Sequence, residues 1–205
     1  MATTKKTKAK RAAERKAAGA KTMRRTKSPS DTPSALDLLE EDHREVEGYF
    51  DEYEDLEDEE EKSELSKKIC LALKVHTQIE EEIFYPQARK ATEEDDLLDE
   101  AKVEHAGAKD LIAQIEEMEV GDDLYDAKVK VLGEQVKHHI KEEEEELFPE
   151  VKSAKMDVEA LGKKLAARKQ ELLSEIADEG ESSGGIDRAA AGNKPSSAAK
   201  SRKSQ

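Results

Sequence analysis

Two stretches of the chain read alike: His76-Thr-Gln-Ile-Glu80-Glu-Glu-Ile-Phe-Tyr-Pro86 and His139-Ile-Lys-Glu-Glu143-Glu-Glu-Glu-Leu-Phe-Pro149. Each is a His-x-x-x-Glu followed by an aromatic residue and a proline. A four-residue step puts imidazole and carboxylate on one helical face, a turn apart. Glutamates in an acidic run ordinarily face water. Glu80 and Glu143 differ from their neighbours because they fall where the apolar stripe of the helix expects a core residue. Around His76 that stripe reads Ile69, Ala72, Leu73, His76, Glu80, Ile83. Around His139 it reads Val129, Leu132, Val136, His139, Glu143, Leu147. The two helices are expected to end at Pro86 and Pro149.

Two further stripes flank these. Thr32 can cap a helix, Pro33 suits its first position, and Leu36, Leu39, His43, Val46, Phe50 and Tyr53 follow at helical spacing. A helix opening at Thr92, with Asp95 as a box-like capping partner, carries Leu98, Ala101, His105, Ala108, Ile112 and Ile115. Gly121-Asp122 makes the next turn. Helices of about 25 residues with short connections predict an all-α, up-down-up-down four-helix bundle. A fifth, C-terminal amphipathic helix shows Val158, Leu161, Leu165, Leu172 and Ile176 and is expected to stop at Gly180, either crossing the bundle or extending from it.

The chain has 205 residues, of which 41% are charged, 35% apolar and 3% aromatic, with no Trp, which argues against an aromatic-rich β-sandwich. Residues 1–30 hold eleven Lys and Arg against one Glu and no Leu, Ile, Val or Phe. They cannot bury a core. The division is therefore a disordered basic arm at 1–31, the bundle at 32–152, an accessory helix at 153–179 and a disordered tail at 180–205. The net charge of −15 hides a body that is far more acidic than the whole. No apolar run approaches the roughly 18 residues of a membrane span. The single cysteine, Cys70, falls off the ligand stripe and has no partner for an internal disulfide. The chain reads as cytoplasmic, without membrane attachment.

The histidines gain weight from their depth. His43 lies ten residues after Pro33, and His76 and His139 each lie ten before their proline, so all three sit about 15 Å from one end of the bundle. His105, twelve after Glu93, comes out at about 18 Å. One core layer thus collects four imidazoles and two carboxylates, a set that is costly to bury without a cation. Mixed nitrogen and oxygen donors without sulfur suit iron, manganese or zinc. The ferritin-like order, Glu three residues before His, occurs only at Glu40 and His43, so that pattern does not fit.

These residues resemble the hemerythrin-like, or HHE cation-binding, family over about residues 32–152. The resemblance rests on Asp42-His43, His76-x-x-x-Glu80 with Phe84 and Pro86, Glu104-His105, and His138-His139 ahead of Glu142 to Glu146, Phe148 and Pro149. It implies a non-haem di-iron centre with bridging carboxylates and a position open to dioxygen or a related ligand. His43, His76, Glu80, His105, His139 and Glu143 are the expected metal ligands. The family's oxygen carriers have a second histidine where this chain has Lys109, and they use a five-residue step that would select Glu144 over Glu143. Glu47, four after His43, is a further candidate ligand. His138 points off the stripe, towards the surface or an outer shell.

Tyr49, Tyr53 and Tyr85 read first as core edge, with hydrogen bonding to a metal-bound ligand as the sharper alternative. Gly48 and Gly107 suggest close helix contact or ligand access. The functional expectation is a protein that binds two irons, with zinc or manganese as other metals, and binds or responds to O₂, peroxide, nitric oxide or iron. The alternatives are a metal-sequestering or sensing module without catalysis, and weak non-specific DNA contact through residues 5–27. The sequence assigns no catalytic residue and no oligomeric state.

Overall fold

The computed structural model describes residues 33–92 and 94–183. The basic arm, the capping candidate Thr32 and the tail beyond 183 lie outside these residues, so the expectations of disorder and of DNA contact fall there too. Helix α1 spans Ala35–Asp55. Helix α2 spans Glu59–Ile79, widens into a π turn at Glu80–Phe84 and continues as α3, Tyr85–Ala91. Helix α4 spans Asp95–Glu116. Helix α5, Tyr125–Glu142, widens likewise at Glu143–Leu147 and continues as α6, Phe148–Ser153. Helix α7 spans Val158–Ser183. No strand occurs among the described residues.

The four long rods form the expected all-α bundle. α1 packs on α2 and α5, and α4 packs on the same two, which is the neighbour pattern of up-down-up-down order. Ser34 caps α1 through a reciprocal capping box with Asp37. α4 starts at Asp95, and its cap residue, Glu94, makes no side-chain cap bond. Among the described residues no helix is long and apolar enough to cross a membrane.

Neither proline ends its helix. Proline lacks an N–H, and its ring collides with the carbonyl four residues back. Each rod absorbs this by adding one residue to the preceding turn: Tyr85 N–H reaches the carbonyl of Glu80, and Phe148 N–H that of Glu143. The rods then run on beyond Pro86 and Pro149. The extra residue also rotates the remainder of each rod. Phe84 and Tyr85 become fully buried while Ile83, expected on the core face, is only partly so.

Two apolar clusters fill the bundle. One gathers Val46, Phe50, Leu73, Ala108, Ile112, Val129, Leu132 and Val136. The other gathers Leu36, Leu39, Ile79, Phe84, Leu98, Leu147 and Phe148. On α1 and α4 the histidine lies in sequence between the residues of the first cluster and those of the second. On α2 and α5 it lies at the changeover, where Val75 and Ile140 overlap it by one residue, so a polar layer sits between two apolar ones. Cys70 packs in the first cluster, and burial pushes its thiol up to about 11.

α7 packs against α1, α2 and the first π turn, and buries Leu161, Leu165 and Leu172. Ile176 stays exposed, and the helix passes Gly180 without stopping. The close contacts are made by glycines other than the expected ones. A side chain at Gly48 would meet nothing, and one at Gly107 only an ordinary contact with Gln135. A Cβ at Gly162 would lie 2.2 Å from the Pro33 carbonyl oxygen, 2.7 Å from Ser34 C and 2.8 Å from Ala35 N. These are backbone atoms at the start of α1 and cannot swing away. Gly162→Ala gains about 0.5–1 kcal/mol in helix propensity but forces α7 off α1, at about 1–3 kcal/mol. A net loss of stability in chemical denaturation is the expected result.

Candidate metal centre

The layer is built from adjacent residue pairs. On α1, His43 faces the interior and Asp42 sits about 100° around the helix. The same holds for Glu104 and His105 on α4, for Glu80 and Glu81 at the first π turn and for Glu143 and Glu144 at the second. In each pair the inward member joins the layer. The other braces a histidine on a neighbouring rod. Glu144 accepts from His43 Nδ1 at 2.8 Å, Glu81 from His105 Nδ1 at 3.1 Å and Glu104 from His139 Nδ1 at 2.8 Å. Asp42 lies 3.5 Å from His76 Nδ1.

This bracing assigns the proton of every imidazole to Nδ1 and turns every Nε2 lone pair inward. His76 Nε2 lies 3.2 Å and His105 Nε2 3.4 Å from Glu80 Oε2. His43 Nε2 lies 3.3 Å and His139 Nε2 3.7 Å from Glu143 Oε2. The Nε2 atoms of His105 and His139 approach to 3.1 Å. All six side chains are buried, Glu80 completely. One O–H serves them. Tyr85 donates to Glu143 Oε1 at 2.9 Å and lies 3.4 Å from Glu80 Oε2.

The donor set is therefore short of positive charge. Four fully buried atoms, His43 Nε2, His76 Nε2, Glu80 Oε1 and Glu143 Oε2, have no hydrogen-bond partner among the described residues. Unpaired acceptors facing one another cost several kcal/mol unless a cation joins them. Two groups of donor atoms lie within 4.8 Å of one another: His43, His76, Glu80 and Glu143 in one, Glu80, His105 and His139 in the other. Two metal bonds of about 2.1 Å span the Nε2–carboxylate separations of 3.2–3.7 Å in the layer. Glu80 belongs to both groups. Without a metal the same field draws a proton instead: burial disfavours a charged His76, yet Glu80 and Asp42 outweigh it and push that imidazole up to about 10, so the layer calls for positive charge in either form. Burial together with Glu143 and Glu80 holds the Tyr85 phenol well above its usual range, so it remains a donor.

The cluster matches one domain family along most of the bundle: a family model for the hemerythrin HHE cation-binding domain matches residues 34–151. The chain belongs to that family. The HHE fold is also seen in the crystal structure of a hemerythrin HHE cation-binding domain-containing protein from Mycobacterium kansasii, which is 22% identical, with a TM-score of 0.63 over 72% of this chain and 91% of that one. No curated protein matches the chain significantly. The matched family is that of a cation-binding domain, and the buried His/Glu layer lies within the matched residues.

All six residues expected from the sequence meet in the layer. The other candidates do not join it. Glu144 braces His43 and is held by Arg44, which also holds Glu47. Lys109 pairs with Glu81 at 2.6 Å, behind His105. His138 is exposed and lies 3.2 Å from Glu142 and 3.8 Å from Glu104. Glu40 is at the surface near Lys152. Tyr49 and Tyr53 turn away to Glu45 and Asp126. Only Tyr85 enters the centre, carried there by the π turn. The four braces were legible only as acidic neighbours of each inward residue.

Tyr85→Phe removes the one hydroxyl donor from two buried carboxylates. The metal-free variant is expected to lose about 1.5–3 kcal/mol in a urea titration, the range of a hydrogen bond to a charged group.

Proposed function

We propose that this HHE domain holds two iron ions as a non-haem di-iron centre. His43 and His76 would hold one, His105 and His139 the other, with Glu80 and Glu143 shared. The observation that carries this reading is the set of inward Nε2 and carboxylate atoms that find no partner among the described residues. Manganese and zinc accept the same donors. When bound, a diferrous pair supplies electrons to a small ligand such as O₂, peroxide or nitric oxide.

The protein's own groups do the rest. Glu144, Asp42, Glu81 and Glu104 fix the imidazole orientations. The apolar clusters keep water from the layer. Tyr85 holds a proton at its hydroxyl oxygen beside both shared carboxylates. A cavity of about 30 Å³ is lined by the four histidines with Val46, Leu73, Ala108 and Val136. That is more than the roughly 10–15 Å³ a single water needs, so the cavity has room for a small ligand.

The ion pair of Lys109 with Glu81 supports a second reading, a metal-sequestering or sensing module without turnover. It occupies the place where oxygen carriers of the family have a further histidine.

Elemental mass spectrometry of purified protein tests the metal reading. Two irons per chain in the wild type, lost in His76→Ala/His139→Ala, is the expected result. A folded wild-type helical protein without stoichiometric metal would refute it.

A further inference from the structure

Three of the four histidine braces are themselves held by a cation. Arg44 holds Glu144 and Lys109 holds Glu81, both from bundle helices. The third cation does not come from the bundle. Asp42, the brace of His76, is held by Lys169, and Lys169 lies on α7. α7 begins after the matched HHE domain ends at residue 151.

The arrangement around Lys169 is specific to this helix. The next residue back, Arg168, bonds Glu82 in the first π turn through Nε at 2.8 Å. Leu165 and Leu172, a turn to either side, are buried in the same apolar cluster as Leu39 and Ile79. Lys169, Asp42, His76 and Leu173 also line one cavity of about 220 Å³ between α1, α2 and α7. α7 therefore grips both the brace of His76 and the turn that begins with Glu80. Nothing comparable reaches His105 or His139 from α7 among the described residues.

We propose that α7 is a working part of the metal centre, with Lys169 as a positioning residue that acts on His76 through Asp42. Lys169 fixes the rotamer of Asp42, and Asp42 fixes the ring of His76. A metal on His76 polarises the imidazole and strengthens its Nδ1–H bond to Asp42. Metal binding and α7 docking then favour each other by the same factor, as linkage requires. A partner or modification that pulls α7 away would loosen the His43/His76 metal first. This inference rests on the di-iron reading of the layer.

The test titrates Co²⁺ into the full-length chain, follows its visible absorption bands, and measures hydrogen exchange in α7 with and without Co²⁺. In Lys169→Met, one of the two Co²⁺ ions is expected to bind about tenfold more weakly, at the lower end of the range for an outer-shell brace. Lys169→Arg, which keeps the charge, restores binding. In the wild type, Co²⁺ slows exchange of the α7 amides, and in Lys169→Met it does not. Equal Co²⁺ binding by wild type and a folded Lys169→Met overturns the coupling and leaves the metal reading intact. Unchanged α7 exchange on adding Co²⁺ to the wild type overturns it without reference to any variant. A wild-type chain that takes up no Co²⁺ overturns the metal reading and the coupling together.

Discussion

Four imidazole nitrogens and two carboxylates point at one another inside the bundle, with a single phenolic O–H among them. Lone pairs gathered in this way repel, and the surrounding apolar clusters remove the water that would screen them. Positive charge at the centre reverses the balance. The low-dielectric setting that penalises the empty set strengthens its hold on a cation. The bundle must be stable enough to keep this layer closed, and the two clusters on either side supply that stability.

Holding the layer is a problem of orientation. A histidine on a helix can present either nitrogen, and a ring left free would average over both. The chain solves this with pairs of adjacent residues. A step of one along a helix turns about 100°, so the neighbour of an inward residue faces the adjoining rod. Asp42 and His43 serve different histidines for this reason, as do Glu104 and His105. The bracing therefore ties rods together as it aims the rings: His43 to the second π turn through Glu144, His76 to α1 through Asp42, His105 to the first π turn through Glu81, His139 to α4 through Glu104. Arg44, Lys169 and Lys109 offset the charge of three of the braces, Glu144, Asp42 and Glu81.

The sequence carried the bundle and its inner layer because both depend on periodicity alone. Helical spacing placed His43, His76, His105 and His139 on apolar stripes, and counting from the prolines placed them at one depth. It also favoured Glu143 over Glu144. Periodicity failed where the helix departs from 3.6 residues per turn. The π turns ahead of Pro86 and Pro149 move Tyr85 and Phe148 inward, which an ideal wheel does not show. Contacts between elements were equally hidden. Nothing local to Gly162 says that it meets the Pro33 carbonyl, and nothing local to Lys169 says that it reaches Asp42. Both depend on where α7 docks, which the spacing of Leu161, Leu165 and Leu172 left open between two arrangements.

On the di-iron reading, the layer between the two apolar clusters is the home of the metal, and no other place among the described residues is. A half-exposed group, Glu104 with His138 and Glu142, offers a rival set of donors nearer the surface. Anomalous diffraction at the iron edge from crystals of iron-loaded protein separates them directly. Two peaks inside the bundle, one beside His43 and His76 and one beside His105 and His139 with Glu80 between them, is the expected map. Peaks confined to the surface group, or an iron-loaded crystal with no peak in the layer, would contradict it.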